Sequence, residues 1–368
     1  MAAQRHAMKR LQHGLGLVEV LVGLVIGMVA ILVVMQVFQL SEGARRNTVG
    51  GDDAQMAGTL TIASLQRELR QAGYGTSALP ILGCSLTMPG GWTIPAMVPV
   101  MINPGNAVVP DGDPNTDTLL LMYGDSGSSP EGDLIAAQTA QNVYSVSTPT
   151  SFDRGHFVVA APEWVVSSTT RPAIPACALS LEAVTATNAP SPPTVTVGMG
   201  VAGMTNGYLY NLGRAPRFLA YAVRGGNLTV CDYLANDCRQ GVNDPAIWTP
   251  ISPGVVSLRA VYGIDTSVTM DSAVDAFVRP TPATQCAWAR FSAVRIGLVS
   301  RSGEFDRTLG QEVPVIKAPE WRASDVAAFD LSANGDWQNY RYKVFETTIP
   351  VRNSAWQGTA AVKAAVPC

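Results

Sequence analysis

From Val20 to Leu40 the chain reads VLVGLVIGMVAILVVMQVFQL, and none of these residues carries a charge. A helix needs about 20 such residues to cross the hydrocarbon core of a bilayer, so this run is long enough to span one. A secretory signal core is only about 7 to 15 residues long and ends at a small-residue cleavage site. This run is longer, and no A-x-A site follows it. Ahead of it, MAAQRHAMKRLQHG holds Arg5, Lys9 and Arg10 and no acid. Basic flanks stay cytoplasmic, so the helix is expected to cross outward. One acid, Glu19, stands at the entrance of the run. A carboxylate at the centre of a membrane helix costs about 2.5 to 3.5 kcal/mol, and less near an end, so Glu19 either marks the membrane edge or requires a partner. Gly23 and Gly27 form a small-xxx-small pair suited to close helix packing, although glycine is also simply tolerated in membrane helices.

Beyond Leu40 the pattern changes. SEGARRNTVGGDDAQMAG is polar, and Gly50 and Gly51 read either as a break in one long helix or as a loop between two. TLTIASLQRELRQAGYG then regains helical period. Ile62, Leu65, Leu69 and Ala72 fall three and four apart on one face, Arg67, Glu68 and Arg70 face water, and Gly73 and Gly75 end the helix. From about residue 80 the chain reads as strands and turns. DTLLLMYGD, HFVVAA, TVTVGMG, FLAYAV, NLTVCDYL, GVVSLRAVYGID, AVRIGLVSRS and YKVFETTIPVRN are apolar runs bounded by Gly, Pro, Asn and Asp. With 34 Gly, 25 Pro and only 14% charged residues, the body is expected to be strand-rich and turn-rich. The fold class is α+β: a long N-terminal helix, membrane-spanning in its first half and amphipathic in its second, packed on a large antiparallel β-rich globular region. The segments are a basic leader over 1–14, a spanning helix over 15–40, its amphipathic continuation over 41–75 and a head over 76–368. Pro-rich RPAIPACALS and NAPSPPTVTV mark an insertion or internal boundary within about 125–230.

Few residues here suit catalysis. His6, His13 and His156 are the only histidines, and two of them precede the apolar run. That leaves no histidine pair for a metal and no base for a serine or cysteine nucleophile. His156 reads as a strand-edge surface residue, and Trp164, Trp248, Trp288 and Trp356 read as buried core in preference to a recognition surface. PDGDPNTDTLLL spaces Asp111, Asp113, Asn115 and Asp117 by two, like the first ligands of a calcium loop. Thr116 stands where such a loop needs Gly and Met122 where it needs Glu, and turn chemistry explains the same residues. No cofactor is expected. Scattered Lys and Arg and a net charge of -3 give no basic surface for nucleic acid. The six cysteines, Cys84, Cys177, Cys231, Cys238, Cys286 and Cys368, all follow the apolar run. An even count suits an oxidising compartment. Cys231 and Cys238 are the nominated pair, and the other four are left unassigned.

HGLGLVEVLVGLVIG resembles the leader junction of type IV prepilins. The resemblance implies cleavage between Gly14 and Leu15 by a prepilin peptidase, methylation of the new Leu15 amine, and an assembly role for Glu19. In that role the Glu19 carboxylate is offset by the N-terminal amine of a neighbouring subunit. LQRELRQAGYG is similar to a helix end of the PilW family of minor pilins, where a Cys follows; here Cys84 comes after TSALPILG. DTLLLMYG, GVVSLRAVYGID, AVRIGLVSRS and YRYKVFETTIPVRN look like PilW landmarks in the expected order, whereas roughly 125–230 holds none.

This resemblance implies a non-enzymatic minor pilin that helps to initiate or prime a type IV pilus, sits near its tip and supports adhesion or twitching motility. Its implied partners are other major and minor pilins, the prepilin peptidase, the inner-membrane assembly platform and a tip adhesin. Before assembly the chain would be a single-pass inner-membrane protein with its N-terminus in the cytoplasm; afterwards it would belong to the pilus at the cell surface. Two alternatives stand beside it: a type II secretion minor pseudopilin, and a periplasmic binding protein or enzyme with an uncleaved membrane anchor.

Overall fold

The computed structural model of the chain describes residues 16–163, 178–188, 193–268, 270–305, 329–333 and 335–355. Two compact units divide at Gly50, residues 1–50 and 51–368. The first helix, α1 (Leu17–Gln71), is a single element 55 residues long, and Gly50 and Gly51 are helical within it. Neither the break nor the loop expected at that glycine pair is present: the helix runs through it.

In the first unit, the 27-residue stretch Leu17–Gly43 contains an 18-residue window of mean hydropathy 2.9, and none of its residues is buried. A helix that is apolar all round has no face to turn to water, so its surroundings must be apolar too.

The second unit is built on antiparallel sheet. Its strands are β1 (Ser85–Thr87), β2 (Thr93–Ile94), β3 (Val100–Ile102), β4 (Leu119–Tyr123), β5 (Asp133–Ala140), β6 (Val143–Val146), β7 (Phe157–Ala161), β8 (Ala178–Asn188), β9 (Thr194–Val197), β10 (Tyr208–Gly213), β11 (Arg217–Arg224), β12 (Asn227–Asp232), β13 (Thr249–Pro253), β14 (Val255–Ile264), β15 (Ala276–Val278), β16 (Phe291–Arg301) and β17 (Tyr342–Pro350). All eight runs read from the sequence as strands are strands. Three sheets result: β2-β1-β8-β7-β10-β5-β6-β9, β13-β12-β11-β4-β3 and β15-β14-β16-β17. Among the described residues one pairing is parallel, β1 on β8 with Ser85 opposite Ala178, so the sheet is not wholly antiparallel as expected.

The first sheet closes on itself. β9 pairs with β8 as well as with β6, so β8, β7, β10, β5, β6 and β9 form a six-stranded antiparallel barrel. Alternation along its strands assigns side chains to two cores. Val158 and Ala160 point into the barrel with Ile135, Tyr144, Val184 and Leu209, while Val159 and Ala161 join the main core. The barrel lies between β4 and β11, which pair directly from Leu119 opposite Tyr221 to Tyr123 opposite Arg217. The chain thus leaves and re-enters the second sheet at adjacent positions. This excursion falls inside the 125–230 stretch that carried no family landmark.

Candidate assembly site

Of the residues assigned to leader processing, Gly14 and Leu15 lie outside the described residues, and so do His6, His13, Trp164, Trp356, Cys177 and Cys368. Glu19 lies in the first turn of α1, its backbone N–H donating to the Gly16 carbonyl at 2.9 Å. Its carboxylate is exposed and has no ion-pair partner among the described residues. Negative charge is favoured at a helix N-terminus, where backbone N–H groups are unpaired. Gly23 and Gly27 leave open space where a Cβ would stand. One flank of the apolar helix is therefore low enough for another helix to approach closely.

In the second unit the amphipathic stretch of α1 packs on sheet through Ala54, Gly58, Thr61, Leu65, Leu69 and Ala72, all buried. The expected stripe included Ile62, which is half-buried; the small residues Ala54, Gly58 and Thr61 extend it one turn at a time toward the N-terminus. Gly58 is needed there because a Cβ would meet the Phe345 ring of β17 at 1.9 Å. Polar contacts fix the register. Ser300 Oγ donates to the Ala54 carbonyl at 2.6 Å, Thr61 and Ser252 share a hydroxyl hydrogen bond at 2.5 Å, and Gln66 Nε2 donates to Thr347 Oγ1 at 2.9 Å. At the helix C-terminus Asn353 Nδ2 donates to the carbonyls of Gln71 at 3.0 Å and Ala72 at 3.2 Å, covering groups that have no partner within the helix. Beside this contact Met56, Leu60, Ile251, Pro253 and Arg301 line a groove of about 600 Å³.

The acidic residues of the calcium-like spacing go separate ways. Asp113 accepts from the backbone N–H groups of Gly225 at 2.9 Å and Gly226 at 2.8 Å, holding the β11–β12 turn. Asn115 donates to Asp330 at 3.1 Å. Asp111 receives Arg224 through its backbone carbonyl at 2.8 Å. Asp117 is buried, with Arg279 at 2.9 Å, Arg259 at 3.3 Å and Asn103 at 2.9 Å on Oδ1 and the Ala260 N–H at 2.9 Å on Oδ2. Each residue is spent on a structural partner, and no group of three metal-ligating residues forms among the described residues. A buried carboxylate is tolerated only when paired in this way. The sequence signal for it was Arg259, a cation inside the otherwise apolar strand VVSLRAVYG.

Cys231 and Cys238 are bonded to each other, as their spacing nominated, and Trp248 Nε1 donates to the Cys238 carbonyl at 3.2 Å. Cys84 and Cys286 are each in a disulfide as well. Trp248 and Trp288 are buried. His156 departs from expectation: it is half-buried, with Nδ1 accepting from the Asp153 N–H at 3.3 Å and meeting Asn211 Nδ2 at 3.2 Å. Burial raises the tyrosines of the main core, Tyr221 and Tyr233 well above the ordinary value and Tyr262 to about 12. Tyr123 is raised first by burial and then by its hydrogen bond to the Glu68 carboxylate.

Residues 228–353 match the family model described as Type IV Pilus-assembly protein W, about a third of the chain. A search of the curated proteins finds no match. Among solved structures a type IV-like pilin from Thermus thermophilus is similar at 14% identity over 55% of this chain and 87% of that one, with a TM-score of 0.19, too slight an overlap to carry a conclusion. The matched residues include the Cys231–Cys238 bond and β13 to β17, and among them Ser252, Ser300, Phe345, Thr347 and Asn353 meet the amphipathic stretch of α1. Over that third of its length the chain is similar to the PilW family of type IV pilus-assembly proteins.

Proposed function

We propose that the chain is a minor pilin that helps to start a type IV pilus, is retained near its tip and supports adhesion or twitching motility. The observation that carries this reading is Glu19: the one acid in the first turn of α1, at the entrance of an apolar stretch, Leu17–Gly43, with no buried residue in the single chain. A helix of that kind is at home in lipid or among other apolar helices, and an unpaired carboxylate within it requires a cation. Cleavage after Gly14 would create one, the Leu15 amine, in every subunit. A neighbour's amine set against Glu19 would fix the axial register of packed helices, because opposite charges in a low dielectric attract strongly. Methylation of that amine keeps its charge.

Under this reading the chain is a substrate of the prepilin peptidase and performs no chemistry of its own. It passes from the inner membrane, through the assembly platform, into contact with other pilins and a tip adhesin. Mass spectrometry of the N-terminal peptide from the sheared filament fraction is the test. The expected result is a methylated peptide beginning at Leu15. Intact MAAQRHAMKR in that fraction contradicts the reading and favours a plain membrane anchor.

A further inference from the structure

Cys84 ends the turn that leads from the C-terminus of α1 into β1. Its backbone N–H donates to the Ile81 carbonyl at 3.1 Å and its carbonyl accepts from the Met97 N–H at 2.6 Å, so its place is fixed from both sides. The residue is buried in the main core, and its sulfur is in a disulfide. Because Cys231 and Cys238 are bonded to each other, its partner within the chain is one of Cys177, Cys286 and Cys368.

The strand register chooses among the three. β1 and β8 pair in parallel, with Ser85 opposite Ala178, Leu86 opposite Leu179 and Thr87 opposite Ser180. Cys84 directly precedes Ser85, and Cys177 directly precedes Ala178. One step further back, the same register aligns Cys84 with Cys177. Side chains alternate between the two faces of a sheet along each strand. Leu86 and Leu179 are both buried in the main core, whereas Ser85 is half-buried and Ala178 exposed. The alternation therefore returns to the core side at the preceding pair, which is where Cys84 stands. Neighbouring strands lie about 4.7 to 4.9 Å apart, and a disulfide joins Cα atoms about 4.4 to 6.8 Å apart, so aligned cysteines on adjacent strands are within bonding reach. Cys286 stands elsewhere, in the short helix Gln285–Ala289 ahead of β16 in the third sheet.

We propose that Cys84 is bonded to Cys177 and that this bond fastens the barrel to the turn that follows α1. The loop it closes contains β1 to β7, among them the barrel strands β5, β6 and β7. Those three strands enter from β4 in the second sheet, and the bond ahead of β8 holds them at the other end. β1 meets β8 over only three residue pairs, and a cross-link that closes a long loop adds to such a contact by restricting the unfolded chain. Making the bond removes one proton and one electron from each thiol. A disulfide-bearing oxidant outside the cytoplasm takes up both protons and both electrons by thiol–disulfide exchange and is left as a dithiol. The inference stands apart from the pilin reading, since it requires an oxidising compartment and no filament.

The test blocks free thiols of the full chain in whole cells, purifies it in detergent, cleaves it without reductant and maps the linked peptides by mass spectrometry. The expected result is a peptide pair carrying Cys84 and Cys177 that separates on reduction. A link from Cys84 to Cys286 or Cys368, or a blocked Cys84 thiol, overturns the proposal. Labelling of Cys84→Ser in denaturant gives a second measure: one new thiol is expected, at position 177, and a new thiol at 286 or 368 in its place overturns the pairing. The fastening is read by amide exchange in the double variant Cys84→Ser with Cys177→Ser. Exchange in β7 and β8 should rise about tenfold while β14 and β16 stay as they were. Unchanged exchange in β7 and β8 overturns the fastening.

Discussion

The two stretches of α1 share one secondary structure and have opposite side-chain patterns. Leu17–Gly43 is apolar around nearly its whole circumference and has no buried residue, while between Ala54 and Ala72 a single stripe is buried against sheet and the remaining positions are exposed or half-buried. A helix's surroundings are therefore set by how its apolar residues are distributed around it. The docked stretch finds its cover within the chain. The apolar stretch has no buried residue among the described ones, and a helix of that pattern is at home in lipid or among other apolar helices.

The largest expected difference comes from truncating one leucine in each stretch. Leu69→Ala opens a cavity under the helix and should lower the unfolding free energy of the head by about 2 to 5 kcal/mol. Leu32→Ala should leave it unchanged. Denaturant unfolding of the purified chain in detergent, followed by the fluorescence of buried Trp248 and Trp288, measures both. Equal losses would mean that the apolar stretch contributes to the head's stability and would break the contrast.

A smaller effect is expected at the closest approach. Gly58→Ala forces a Cβ against the Phe345 ring and should cost about 1 to 3 kcal/mol in the same titration, whereas Gly27→Ala, with open space around it, should cost the head nothing. If Gly58→Ala is neutral, the helix lies farther from β17 than described.

Alkaline pH sharpens the contrast. Tyr221, Tyr233 and Tyr262 are raised by burial, so the folded state holds their protons more tightly than the unfolded chain, where a tyrosine titrates near pH 10. Their contribution is complete below about pH 10 and is lost as pH climbs from there through 12. Val20 to Leu40 contains no titratable group. Circular dichroism in detergent should show the strand signal fading above pH 10 while helix persists; simultaneous loss of both would contradict separate support for the two stretches.

The stripe on α1, the eight strong strands and the Cys231–Cys238 bond were legible because each depends on residues close in sequence. The barrel was not. β5 reads DLIAAQTA, mostly small residues with one fully buried position, and β8 loses its alternation at an irregularity between Val184 and Ala186. Its closure depends on pairings set by distant parts of the chain. Asp117 was misleading for a related reason: its local spacing resembles a calcium loop, while its partners Arg259 and Arg279 are 142 and 162 residues away. Local pattern identifies a residue as unusual, and only the fold shows what answers it.

The central claim is that Glu19 answers to a neighbour. Its direct test is Glu19→Gln, which keeps shape and removes charge, scored by the ratio of this chain in sheared filaments to this chain in membranes. The account predicts normal processing to Leu15 with a ratio reduced about tenfold or more, consistent with loss of a charge pair in a low dielectric. A processed Glu19→Gln chain that enters filaments as the original does would contradict it.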